Sequence, residues 1–389
     1  MPIARNAGRC LNAPPECPGA RQAEFQSDKP SVKAIVFEQF GGPLTVQRVA
    51  DPAPAPGGVV VRVRSTGICR SDWHGWQGHD PDVRLPHVPG HELAGEIVAV
   101  GSGVRSLVVG ERVTVPFVSG CGQCAPCGRG DPQVCDTQFQ PGFTHWGSFA
   151  EYVALRYAER NVVRLPEALS YEAAASLGCR FVTAYRALVQ LAMLRAGESL
   201  VIFGCGGVGL SSVLLAKALG ARSIAVDIDP KKLELAQRLG ADVLIDARGE
   251  TSVAERVRAE TRGGADVSID ALGSSATLRQ SLQSLRKRGR HVQVGLLVGE
   301  RGEPSLPMSL VIAAELTLYG SHGIAASAYG DVFALIESRG ISLEAMLGPR
   351  LGLQDVPEQL AAMGQFAGVG ISLIDPGRAA ADQRPEIGI

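Results

Sequence analysis

The stretch Leu200-Val-Ile-Phe-Gly-Cys-Gly-Gly-Val-Gly209 constrains this chain more than any other, because a short β-branched apolar run feeds directly into a glycine-rich turn. Gly204, Gly206 and Gly209 have G-x-G-x-x-G spacing. In such a loop the first glycine makes a tight turn, the second lets backbone approach a pyrophosphate, and the third lets helix pack on strand. A helix is predicted over Val208–Leu219, so its N-terminal N–H groups and dipole would face the phosphates. A second apolar run, Ser223-Ile-Ala-Val-Asp227, ends in an acid at the offset of a ribose-binding carboxylate. Together these features predict a bound dinucleotide, with Lys232 a further ribose neighbour. Residues 201–216 carry no charge, but the run is shorter than the ~20 apolar residues of a membrane span and its glycines break it.

Around this loop the chain alternates strand and helix signals, with strands near Leu200, Ser223, Val243, Val267, His291 and Leu316. That rhythm predicts a doubly wound parallel sheet in an α/β protein. Upstream, Val32–Phe37, Val59–Arg64, Gly95–Val100 and Arg112–Val115 read as strands of a β-rich domain. At 389 residues two domains are expected. Residues 1–31 hold five prolines and no apolar period, which predicts a disordered extension. The segment 376–389 is expected to fray.

A formal net charge of −1 gives no electrostatic footprint for nucleic acid or an anionic membrane, which favours a small-molecule partner. Nine cysteines in a chain with no secretory signal suit a reduced, cytoplasmic protein whose thiols bind metal. Cys121, Cys124, Cys127 and Cys135 form C-x2-C-x2-C-x7-C on a Gly/Pro-rich loop. Four thiolates close a tetrahedral zinc shell, so this metal would hold a lobe (residues 119–136) and do no chemistry. An iron–sulfur cluster would favour a last spacing of three followed by proline, whereas Asp136 follows here. Further cysteines and histidines are dispersed: Gly67-Ile-Cys-Arg-Ser-Asp-Trp-His74, Pro89-Gly-His-Glu-Leu-Ala-Gly95 and Leu177-Gly-Cys-Arg180. Taken singly, each reads as a small buried cysteine or a hydrogen-bonded histidine.

In their order along the chain, these motifs and the glycine loop resemble the zinc-dependent medium-chain alcohol dehydrogenases, over roughly Val32 to Pro376. The resemblance implies a GroES-like catalytic domain (32–180), a Rossmann domain (181–320) and a return segment (321–375) that completes the first domain. It implies two zinc ions per subunit and NAD. Cys69, His91 and Cys179 would ligate the catalytic zinc, leaving a fourth position open. Glu92 would sit behind the metal and Asp72 would hold the ligating histidine. Ser71 would touch the substrate oxygen, His74 would pass the proton on, and Arg70 would meet the pyrophosphate. Gly207, Val208, Val294 and Leu296 would also border the cofactor. Phe117, Trp73, Trp76, Phe143, His145 and Trp146 are candidates for the pocket wall. The implied activity is hydride transfer between an alcohol and NAD to give an aldehyde or ketone, in a homotetramer. A polyol, threonine or glutathione-adduct dehydrogenase of the same superfamily stays open. A zinc-free quinone reductase or a non-catalytic dinucleotide-binding protein is disfavoured by the joint presence of Cys69, His91 and Cys179.

Overall fold

A computed structural model describes residues 31–297, 303–365 and 368–378. The disorder expected over 1–31 lies outside these residues except at Ser31, as does most of the expected tail 376–389. Six strands make the parallel sheet: β1 Ser199–Phe203, β2 Arg222–Asp227, β3 Val243–Asp246, β4 Ala265–Asp270, β5 Leu285–Gln293 and β6 Thr317–Gly320. Their order is β3-β2-β1-β4-β5-β6, every neighbouring pair parallel. Successive strands therefore run outward in one direction from β1 and, from β4, in the other. A crevice opens where the order reverses, beyond the carboxyl ends of β1 and β4. Both faces of β1 are covered: Leu200 and Ile202 pack in one cluster, Val201 and Phe203 in another. That double burial explains why β1 reads as an unbroken apolar run.

The helix Gly207–Leu219 follows β1 and buries Leu210, Val213, Leu214 and Leu215 against the sheet. Gly220 ends it in the left-handed conformation, at φ 74°.

The other large sheet is mainly antiparallel. Its path runs Leu347–Leu351, Ile371–Ile374, Val59–Gly67, Glu92–Val100, Arg112–Thr114 and Val163–Arg164, with Tyr152–Leu155 also paired to Val59–Gly67. Val32–Val36 and Thr45–Val49 form a separate hairpin. Between the two sheets runs a helical stretch, Tyr171–Leu191, that includes two widened π-type turns, Leu177–Phe181 and Arg186–Leu191. Such turns are enriched at functional positions. The segment after β6 divides its loyalties. Tyr329 and Val332 of helix Tyr329–Arg339 join the same apolar cluster as Leu188 and Val213, and only from Leu347 does the chain enter the antiparallel sheet. The architecture is α/β: a GroES-like β-rich unit beside a Rossmann sheet.

Candidate active site and metal centres

The glycine loop takes the shape its three glycines predict. Gly204 has φ 93°, a conformation other residues rarely adopt. A Cβ on Gly209 would lie 1.8 Å from the Gly204 carbonyl oxygen, so the helix can approach the turn only with hydrogen there. A Cβ on Gly206 would meet nothing within 4 Å, leaving the loop open on the side that faces the crevice. At the end of β2, Asp227 Oδ2 accepts from Cys205 N at 2.7 Å and Oδ1 from Asp229 N at 2.9 Å. Two backbone donors thus fix the carboxylate at the crevice wall and leave each oxygen a second lone pair. The Cys205 thiol beside it is buried, and burial holds its pKa far above the ordinary value, which makes it unreactive.

One cavity of about 1060 Å³ runs from Asp227 past the loop to the dispersed cysteines. Gly204, Gly206, Gly207, Val208, Lys232, Val294 and Leu296 line it, with Arg70, Ser71 and His74 at the other end. Gly209 lies beneath the loop, outside the cavity lining. Arg70 donates to the Met363 carbonyl at 2.6 Å and lies over the Trp73 ring. Phe117 and Phe143 also line the cavity and flank the His91 ring at 6.2 and 5.1 Å between centroids. The other four aromatic candidates do not line it. Trp73 and Trp76 pack against an apolar cluster, His145 stacks on Phe139, and Trp146 donates to the Pro86 carbonyl.

Cys69, His91, Glu92 and Cys179 converge from three segments, with ligand atoms within 4.8 Å of one another. Cys69 caps the short helix Arg70–Trp76 just after one strand, His91 precedes the next, and Cys179 sits in the π-type turn. Asp72 organises two of them. Its Oδ2 accepts from Cys69 N at 2.9 Å; its Oδ1 accepts from Gly90 N at 3.0 Å and from His91 Nδ1 at 2.9 Å. With the proton held on Nδ1, the Nε2 lone pair is free to bind, and Nε2 is buried with no hydrogen-bond partner among the described residues.

The buried groups of this cluster shift one another strongly. Burial lowers the basicity of His91, but the Asp72 carboxylate and Cys69 more than offset it and raise the pKa well above the imidazole range. The hydrogen bond from Cys179 holds Cys69 well below the usual thiol range, while the same contact and burial push Cys179 up. Burial raises Glu92 to about 8 against the pull of Arg180. Arg180 Nη2 lies 2.7 Å from Glu92 Oε2, close in charge but misaligned, so neither Glu92 oxygen makes a hydrogen bond. With both sulfurs as thiolates and His91 neutral, Cys69, His91 and Cys179 offer the donor set of a divalent ion with an affinity for sulfur and imidazole.

The second cluster has a different character. Cys121, Cys124, Cys127 and Cys135 also lie within 4.8 Å of one another, and three of the four are partly exposed. Backbone amides of Cys121 and Gln123 point at the sulfurs of Cys135 and Cys121, at 3.3 and 3.4 Å. Chiefly through the Thr137 hydroxyl, Cys121 is lowered to about 6, whereas burial pushes Cys127 up to about 12. The base of the lobe is fixed by Asn161, which accepts from Gly120 N at 2.9 Å and donates to Gly120 O at 3.0 Å.

Three residues bear on the site without having been singled out by motif. Arg180 is one. His79 is a second, its Nδ1 2.9 Å from His74 Nδ1 at the cavity wall. His322, also lining the cavity, is hydrogen-bonded to the Gln133 carbonyl in the cysteine lobe at 3.0 Å and stands edge-on to Phe117.

The comparisons with known proteins agree with this geometry. The family description "Alcohol dehydrogenase GroES-like domain" matches residues 55–167, and "Zinc-binding dehydrogenase" matches residues 207–338. An alcohol dehydrogenase of Geobacillus stearothermophilus is 39% identical over 68% of this chain and 78% of its own. One of Rhizobium meliloti (strain 1021) is 37% identical over 75% of this chain and 84% of its own. The solved structure of alcohol dehydrogenase TADH from Thermus sp. ATN1 superposes with a TM-score of 0.80 at 32% identity, covering 88% of this chain and 99% of that one. The chain belongs to the zinc-dependent medium-chain alcohol dehydrogenase family, and with that membership come zinc, a nicotinamide cofactor and a small-molecule substrate. No helix among the described residues is long and apolar enough to cross a membrane.

Proposed function

We propose that this chain is an NAD-dependent alcohol dehydrogenase that holds two zinc ions per subunit and interconverts an alcohol with an aldehyde or ketone. The observation that carries the reading is the buried Cys69–His91–Cys179 cluster, with His91 Nε2 unspent, opening on the same cavity as the glycine loop and Asp227. When bound, zinc there supplies Lewis acidity toward a substrate oxygen, and the dinucleotide exchanges the hydride. The chain's own residues do the rest. Cys69, His91 and Cys179 would hold the metal through three positions and leave a fourth for substrate. Asp72 keeps His91 in the Nδ1–H tautomer, and Glu92 stands behind the metal. Ser71 Oγ, 3.7 Å from Cys69 Sγ, is placed to take the substrate proton. A serine cannot keep a charge at neutral pH, so His74 at the cavity wall would pass the proton outward. Phe117 and Phe143 exclude water from the reacting end.

Arg70 and the loop residues Gly204, Gly206, Gly207, Val208 and Gly209 would bind the pyrophosphate, with Val294 and Leu296 bordering the nicotinamide half. The four-cysteine lobe would carry the second, structural zinc. NAD rather than NADP is supported by Asp227, whose fixed carboxylate accepts from ribose hydroxyls and repels a 2′-phosphate; Lys232 does not supply the arginine expected beside it. The units would divide as 32–180, 181–320 and 321–375. The subunits would associate, as a homotetramer by the family resemblance; a contact between copies is supported by the unpaired edge at β6 and by the adjoining helix Met308–Ala313, which buries none of its residues and exposes 72% of Ile312. Free thiols throughout the described residues suit the cytoplasm.

Metal analysis combined with a screen of alcohols tests the reading: two zinc per subunit and NAD reduction are expected, and a metal-free chain that reduces quinones would overturn it. The cofactor is tested separately. A kcat/KM for NAD at least ~10-fold above that for NADP is expected, about 1.4 kcal/mol, and Asp227→Gly should erase the preference.

A further inference from the structure

Arg180 was assigned nothing by the motifs, yet it occupies the ground between the two halves of the site. It is 5% exposed and follows Cys179 directly. Its guanidinium donates to the carbonyl of Ile68, the residue before Cys69. It also lies 2.7 Å from Glu92, the residue after His91. One side chain therefore reaches the chain neighbours of Cys69 and His91 while its own residue adjoins Cys179. Its stem faces the other way: a Cβ on Gly207 would fall 2.1 Å from Arg180 Cδ, so Gly207, in the first turn of the dinucleotide helix, rests on the arginine. Glu92 is poised beside this contact, its oxygens within reach of the ligand atoms and without hydrogen bonds. Freed from Arg180, that carboxylate is itself a competent zinc ligand and would change the metal's coordination.

We propose that Arg180 is a positioning residue that couples the metal pocket to the dinucleotide loop, holding Glu92 off the metal on one side and seating Gly207 on the other. The proposal rests on the reading of both sites given above. If it holds, occupancy of either site alters the other by the same factor, because a coupling free energy is reciprocal.

The test uses the enzyme with Co2+ in place of the catalytic zinc, whose visible bands report coordination, together with NADH titrations followed by fluorescence. In the unaltered protein NADH should shift the cobalt bands. Arg180→Met should change the bands before any NADH is added, and should raise the NADH Kd at least ~10-fold, a loss of about 1.4 kcal/mol. Adding Glu92→Gln to Arg180→Met should return the bands to their original form while NADH affinity stays weak. Arg180→Lys, which keeps the charge and loses the planar fork, should fall between. Gly207→Ala keeps every charge, and because Gly207 itself borders the cofactor its readout is taken before NADH is added: the methyl pressed on Arg180 should change the cobalt bands of the NADH-free protein, which decides the matter if Arg180→Met does not fold. Unchanged bands with a Kd within twofold in Arg180→Met, or cobalt bands in NADH-free Gly207→Ala identical to those of the unaltered protein, overturns the coupling and leaves the reading of the sites intact. An unaltered protein that takes up neither cobalt nor NADH overturns both.

Discussion

The two cysteine clusters use similar chemistry in opposite ways. The lobe draws four sulfurs from fifteen consecutive residues, near the surface, with backbone amides aimed at sulfur. The dispersed cluster draws its groups from three distant segments, buries His91 fully and surrounds it with Asp72, Glu92 and Arg180. Four thiolates leave a metal no vacancy; two thiolates and an imidazole do. A closed site can be built locally because it need only fold a loop. An open site needs side chains that hold the ligands in place when the metal does not, and those come from across the fold.

The sharpest way to break this comparison is to remove one sulfur from each cluster. Cys179→Ala should lower kcat/KM by ~10³-fold or more and leave the thermal midpoint nearly unchanged, because the lost Lewis acid contributed several kcal/mol to the transition state. Cys124→Ser should do the reverse, releasing one zinc and lowering the thermal midpoint by several degrees. A stable and fully active Cys124→Ser enzyme with one zinc fewer would erase the distinction. Next comes the proton path. Ser71→Ala should lower kcat by ~10²-fold, and His74→Gln by less, since water can replace an imidazole near the surface. Full activity in Ser71→Ala removes the relay.

A smaller effect sharpens the contrast in support. Asp72→Asn should weaken retention of the catalytic zinc by ~10–100-fold in a chelator competition, with the lobe zinc untouched. Equal loss from both sites would show that Asp72 serves the fold at large. Last, Asn161→Ala leaves the buried Gly120 amide and carbonyl unpaired and should cost about 1–3 kcal/mol in denaturant unfolding with no change in kcat/KM. A changed kcat/KM would tie the lobe to catalysis, a link already hinted at structurally by the His322 contact with Gln133.

What could be read from the sequence follows the same division. The glycine loop was legible because turn, strand and helix are contiguous, and the observed strand and helix boundaries fall within a residue or two of those predicted there. The lobe was legible from spacing alone. The dispersed cluster became legible only through the resemblance, since no local rule links Cys69 to Cys179. Beyond that, the sequence stayed silent. Arg180 left one trace, a charge inside the apolar run Leu177-Gly-Cys-Arg-Phe-Val182, which a search for buried cations would have found. Asn161 and His322 left none, because their roles depend on partners 41 and 189 residues away. The aromatic candidates divided two to four between cavity and core for the same reason: an aromatic side chain serves either purpose until its neighbours are known.

The pairing of Ile371–Ile374 with Val59–Gly67 has a consequence for the order in which this molecule assembles. Leu373 sits opposite Gly67, and Ile68 donates its amide to the Ser372 carbonyl at 3.0 Å, so the backbone entering Cys69 is gripped by chain synthesised some three hundred residues later. Ribosomes add residues from the N-terminus, and closing so long a loop is slow compared with local collapse. The parallel sheet has all six of its strands by Gly320, while the strand leading to Cys69 still lacks its neighbour. Every strand of the nucleotide half is thus synthesised before the chain that completes the metal pocket.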